Sequence, residues 1–209
     1  MSKVRLFIAR HGETDYNIKG LLQGRGINAP LNEIGQNQAK RLAGYLKKYP
    51  SDKLISSSLE RSYQTAEFVQ KQNGLVIEKN PDLDEMHFGI YEGKPFQEID
   101  REIKELDKAW RSGNISQKIP GGESPQETFD RANRAVRSYI EKIKQGTLTF
   151  VIHGRLIRIL LSEWLGFGLK NMHKIEHNNG GVNQLVYENG SFEPVYLNKT
   201  DHLKEFIRV

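Results

Sequence analysis

Two apolar runs in this chain each end on a histidine followed by a glycine: one closes on Arg10-His11-Gly12, the other on His153-Gly154. An imidazole acts as nucleophile, acid or base near neutral pH, and arginine is a permanent cation with a planar fork of donors. Two imidazoles and a guanidinium at the ends of buried segments describe an oxyanion site, and a phosphoryl group is its best guest. "ISSSLERSYQTA" adds Arg61 in the first turns of a helix, where free backbone N–H groups also attract anions. In "LDEMHFGIYEG", Glu85 follows a short acidic stretch and is placed to supply a proton.

These residues need a scaffold that brings them together. Compact apolar runs predict strands at 4–9, 53–56, 75–77 and 148–152, with a closing pair at 184–187 and 194–197 around "ENGS". Asn32 is a helix cap ahead of an apolar face of Ile34, Ala39, Leu42, Ala43 and Leu46, and a second helix is expected from about 59 to 72. Pro95 suits the first turn of a helix carrying Phe96, Ile99, Ile103, Leu106 and Trp110 on one side. Ser124, Pro125 and Glu127 form a capping-box start, and a buried helix is expected from 156 to 165.

Strands alternating with helices predict an α/β class fold: three layers, α/β/α, around a mostly parallel sheet with right-handed crossovers. Ligands in such sheets bind beyond the carboxyl ends of the strands, where both His-Gly pairs stand. The chain reads as one domain over 1–209, with a small helical cap insertion at about 82–125.

Composition narrows the functional classes. The 209 residues contain no cysteine, which removes disulfides, thiolate metal sites and cysteine nucleophiles. The net charge of +5 is dispersed among acidic residues, so nucleic acid is not expected as a partner. Neither a signal peptide nor a membrane span is expected, which suits a cytoplasmic protein.

The ordered blocks "RHGETDYN" (10–17), "LQGRGINAPLNEIGQNQA" (22–39), "SSLERSYQTA" (57–66), "DEMHFGIYEG" (84–93), "PGGES" (120–124), "VIHGRLIR" (151–158) and "LNKTDHL" (197–203) cover nearly the whole chain. Together they resemble the histidine phosphatase superfamily, the branch of phosphoglycerate mutases and their small phosphatase relatives. The resemblance implies His11 as the phosphoryl-accepting nucleophile, with Arg10, Arg61 and His153 clamping the phosphoryl oxygens and Glu85 as proton donor. Asn17, Gln23 and Gly24 match positions lining the phosphate or the substrate edge. Gly12 and Gly154 are expected to let the backbone turn tightly and approach the ligand. Two departures bear on local geometry: Ser58 stands where proline is common, and Ser62 where alanine is common.

The implied reaction is metal-independent hydrolysis of a small phosphorylated metabolite, without a cofactor, by a monomer or homodimer. The alternative within the family is bisphosphoglycerate-dependent phosphoglycerate mutase. It is disfavoured because the compact excursion offers Arg111 without an adjacent basic partner. Two remoter readings are a non-catalytic phosphate-binding protein and a zinc protease. The latter rests on "HKIEH", in which His173 and His177 have i, i+4 spacing. His87 and His202 carry no assigned chemistry.

Overall fold

The computed structural model describes residues 3–204 and 206. Its centre is strand β1 (Lys3–Arg10), where residues 6–9 are all buried because both sheet faces are covered. A strand buried on both faces reads as a continuous apolar run, as "LFIA" does. The other strands are β2 (Lys53–Ser56), β3 (Ile77–Lys79), β4 (Gly146–Ile152), β5 (Val182–Glu188) and β6 (Ser191–Lys199), in the spatial order β3-β2-β4-β1-β5-β6. The first four pair in parallel; β5 runs antiparallel to β1, and β6 antiparallel to β5. The expected mostly parallel sheet is therefore present. Its closing hairpin turns on Asn189-Gly190, both at positive φ, the backbone a tight two-residue hairpin demands.

Helices cover both faces. α2 (Glu33–Leu46) and α3 (Glu60–Asn73) place Leu42, Leu46, Ala66 and Val69 against Phe7, Leu54 and Val151. α5 (Pro125–Ile143) and α6 (Gly154–Trp164) place Val136, Ile140, Leu156 and Leu160 against Ile8, Leu148 and Phe150. The caps read from sequence are formed. Asn32 accepts from Gly35 N–H at 2.8 Å, and Ser124 and Glu127 close a reciprocal box; such caps contribute about 1 kcal/mol each.

Three local expectations differ. The strand expected at 75–77 is β3, two residues later. Gly74 ends α3 in the left-handed region, and the parallel register starts only at Leu54–Ile77. The short helix α1 (Asp15–Ile18), capped by Thr14, was not foreseen. Pro95 does not open a helix. Residues 93–96 lie along 20–22, with Leu22 N–H donating to Lys94 O and Phe96 N–H to Gly20 O at 2.9 Å each. Those bonds hold the segment extended, so α4 (Asp100–Arg111) begins five residues after the proline. Ile103, Leu106 and Trp110 then join Met86, Phe88 and Ile119 in a third apolar cluster, which includes Ile159 of α6.

Candidate active site

Parallel pairing of β1 and β4 sets Arg10 opposite Ile152, so the residues that follow leave the sheet side by side. The ladder extends one residue further: His11 N–H donates to Ile152 O at 3.0 Å. The rings of His11 and His153 lie 5.2 Å apart between centroids, tilted by 56°. Both are buried. His11 Nδ1 is 2.7 Å from Gly12 O, and a carbonyl only accepts, so Nδ1 carries the proton and Nε2 keeps its lone pair. Burial, reinforced by the Arg61 and Arg10 charges, holds His11 well below the usual imidazole range. Burial, then Arg61 and His11, do the same to His153.

Arg10 and Arg61 converge on these imidazoles from different elements. Arg10 Nη1 donates to His177 O at 2.8 Å. Arg61 is fully buried near the start of α3, donating from Nη1 to Ile27 O at 2.7 Å and from Nη2 to Gly24 O at 3.2 Å. Burial lowers each guanidinium to about 10, with Glu85 opposing, so both stay charged at neutral pH. Among the described residues, Arg10 Nε, Arg61 Nε, His153 Nδ1 and Gln23 Nε2 are buried without a hydrogen-bond partner. Four of the eight such atoms among the described residues thus belong to residues marked by the motifs, and their donors suit an acceptor-rich ligand.

Packing constrains the motif glycines, and Gly154 also lines the cavity over the site. A Cβ on Gly12 would lie 2.3 Å from Gly35 O, so Gly12 is required by the close passage of α2. A Cβ on Gly154 would come within 3.0 Å of Arg10 Nε, so Gly154 makes room for that guanidinium. Gly24 is confined by Glu92 and serves as Arg61's acceptor.

Glu85 is buried between the excursion and α6. Its Oε1 accepts from Met86 N–H and Leu156 N–H at 2.9 Å each, and its Oε2 from Arg155 N–H at 3.0 Å. Arg131, whose role sequence reasoning missed, grips this segment from α5. It donates to Asp82 O (2.7 Å), Asp84 O (2.8 Å) and Glu85 O (3.1 Å), and pairs with Glu123. The two departures from the family pattern find partners. Ser58 bonds Asp84 through both its N–H and its hydroxyl at 2.8 Å, and Ser62 donates to Val151 O. A proline at 58 has no N–H to give.

A cavity of about 180 Å³ opens over the site, lined on its polar side by Arg10, His11, Asn17, Gln23 and Glu85. Leu21, Leu22, Phe88, Phe96, Ile103 and Trp110 form its apolar side. Arg61 and His153 are buried beside His11 rather than on this wall. Larger surface depressions, such as the one between α2 and His202, lie away from these groups. Sequence reasoning overlooked Asn179, whose amide reaches His11 O and Asn17 Oδ1 at 3.2 Å, and Ser57, 2.7 Å from His153 Nε2. It also overlooked Arg155 and Arg158, which line the cavity from α6. Arg111 instead pairs with Asp107 at the surface, 3.1 Å away.

The zinc-protease spacing has no helix to display it. His173 lies in a 3-10 turn, Leu169–Lys174, that ends before His177. His177 is buried, 2.6 Å from Asn183 Nδ2, and burial with the nearby Arg10 charge lowers it to about 3. No group of three metal-ligating side chains occurs among the described residues. His202 stacks on Tyr45, and His87 Nδ1 accepts from Gly89 N–H.

The family model described as "Histidine phosphatase superfamily (branch 1)" matches residues 6–200. A Hydrogenobacter thermophilus protein named "Putative phosphoserine phosphatase 2" is 31% identical over 204 residues, 96% of this chain and 98% of that one. "Probable phosphoglycerate mutase GpmB" of Yersinia pestis is 30% identical over 88% of this chain and 86% of its own. The solved structure of mycobacterial glucosyl-3-phosphoglycerate phosphatase with VO3 superposes with a TM-score of 0.81 at 29% identity, covering 93% of this chain and 98% of that one.

Proposed function

Because the chain belongs to the histidine phosphatase superfamily, branch 1, we propose that it hydrolyses a small phosphate monoester through a phosphohistidine on His11. The observation that carries this reading is the His11 ring itself. Its Nδ1 proton is committed to Gly12 O, its Nε2 is free, and unpartnered nitrogens of Arg10, Arg61 and His153 belong to the same cluster.

Phosphoryl transfer depends on positioning and charge stabilisation more than on covalent assistance. In the first step His11 Nε2 donates its lone pair to phosphorus while the bond to the ester oxygen breaks. Arg10, Arg61 and His153 hold the non-bridging oxygens. Ser57 supports His153 in this: with its hydroxyl donating to Nε2, the imidazole proton is left on Nδ1, the nitrogen with no protein partner. Glu85 gives its proton to the departing alkoxide. In the second step the Glu85 carboxylate takes a proton from water as its oxygen attacks phosphorus. The P–N bond then breaks, its electron pair returns to Nε2, and phosphate and alcohol leave.

Residues 82–125 act in this reading as a cap that sets substrate selectivity, supported by the apolar side they give the cavity. Relatives named for phosphoserine and glucosyl-3-phosphoglycerate phosphatases support a small phosphorylated metabolite as substrate. Placement in the cytoplasm belongs to the same proposal, since such metabolites are made and retained there. A mutase remains the second reading, favoured by the Yersinia relative and by the basic pair Arg155 and Arg158 on the cavity wall.

The deciding experiment measures phosphate release from a panel of monoesters in EDTA, including 3-phosphoglycerate with and without 2,3-bisphosphoglycerate. Metal-independent release is expected. Isomerisation of 3-phosphoglycerate without release would replace the phosphatase by the mutase, and no turnover of any ester would leave a phosphate-binding protein.

A further inference from the structure

The reaction as written gives no task to one cation on the cavity wall. α6 sends two arginines there, Arg155 and Arg158. Arg155 is engaged: its Nη1 lies 3.7 Å from Asp107 Oδ1, and its guanidinium 5.8 Å from the Trp110 ring centroid. Arg158 is half-buried and makes no hydrogen bond or ion pair among the described residues. It does feel its neighbours: Arg10 and Arg155 repel it, and Glu85, Asp107 and Glu176 attract it without touching. A partly desolvated guanidinium beside like charges is costly to keep unless an acceptor meets it.

Its position says what that acceptor is. Arg158 lies four residues after Gly154, so the two share a face of α6, and Gly154 abuts the Arg10 guanidinium. About 6 Å of helix rise separates the two backbone positions, so Arg158 stands one turn along α6 from the Arg10 cluster and lines the same cavity. The planar fork of arginine matches a carboxylate through two parallel hydrogen bonds. A cavity of about 180 Å³ favours such a compact group.

The geometry points to Arg158 as the specificity-determining contact for a carboxylate on the substrate's leaving alcohol. The inference rests on the reading above that Arg10 and His11 hold the phosphoryl end. It makes this chain selective for phosphate esters of short hydroxy acids over neutral esters of equal size. It also restores, from α6, the second cationic subsite that the sequence of the excursion lacks.

The test compares binding of 3-phosphoglycerate with that of glycerol 1-phosphate, which carries a hydroxymethyl group in place of the carboxylate. Calorimetric titration of the His11→Ala variant, checked for its fold by circular dichroism, avoids turnover. A preference of at least about tenfold for the carboxylate is expected, the size of one charge-assisted contact. Adding Arg158→Gln should remove most of that preference, and Arg158→Lys should retain part of it. Arg101→Gln, which removes an exposed charge on α4, should leave it intact. Equal binding of the two esters by the parent overturns the inference. So does a preference that survives Arg158→Gln, or one that Arg101→Gln removes as fully. Phosphate release by the wild-type protein is measured separately. Carboxylate-selective binding without release would overturn the phosphatase and leave the subsite, whereas release with no carboxylate preference would do the reverse.

Discussion

The Glu85 carboxylate accepts the backbone N–H of Leu156 at 2.9 Å, so the side chain assigned to proton transfer also closes the start of the helix behind His153. One group thereby ties the excursion to the rim of the sheet. Positioning and chemistry are coupled at this residue, and mutations there will register on both.

Glu85→Gln keeps the shape but has only one oxygen to accept three backbone N–H groups, while its amide adds two donors of its own. Turnover of an alkyl phosphate is expected to fall by about 10²–10³-fold. An aryl phosphate with a good leaving group should lose less, because its oxygen needs no proton to depart. Steady-state rates on the two esters check this, and equal losses on both would remove Glu85 from proton donation.

His11→Ala removes the covalent route while Arg10, Arg61 and His153 remain. A loss of at least about 10³-fold in kcat is expected, beyond the 10²–10³ typical of losing one stabilising donor. Acid-labile, base-stable phosphoenzyme should be trapped from labelled ester by the wild-type protein and not by the variant. Retention of a tenth of the activity would exclude His11 as nucleophile.

Two glycines, one packed against α2 and one on its exposed side, should respond oppositely to alanine. Gly12→Ala puts a methyl 2.3 Å from Gly35 O, backbone against backbone, and is expected to cost more than about 3 kcal/mol or prevent folding. Gly44→Ala in α2 meets nothing within 4 Å and should stabilise by up to about 1 kcal/mol. Urea midpoints of the two variants against the parent test the contrast.

Stability should fall in mild acid. His11, His153 and His177 are held neutral in the fold, below their unfolded value near ~6.5. Their contribution is therefore complete above about 6.5, where both states are neutral, and declines as pH drops and the unfolded chain takes up protons. Each group can remove up to about 1.4 kcal/mol per pH unit until its folded value is reached, which for His177 is about 3. Denaturant midpoints at pH 7.5, 6 and 5 should decrease in that order. A flat profile would mean that these imidazoles are not held neutral by the fold.

By itself the sequence determined the α/β class, most strand and helix positions and the four motif residues that surround His11. Those signals are local or nearly so: an apolar run long enough for one strand, a Ser-Pro-x-Glu cap, an Asn-Gly turn, and a His-Gly pair where an apolar run stops. The start of α4 was not legible, because backbone bonds between residues 93–96 and 20–22 override the helix preference that Pro95 suggests. Nor could the sequence show that Gly12 answers to Gly35, that Arg131 grips the carbonyls before Glu85, or that Arg158 rather than Arg111 faces the cavity. Each of these joins segments far apart in the chain, and the parallel crossovers that bring them together are set by burial on both sheet faces. Residue types fixed which chemistry was available; only the packing of α2, α5 and α6 around the strand ends decided which atoms keep partners and which are left for a ligand.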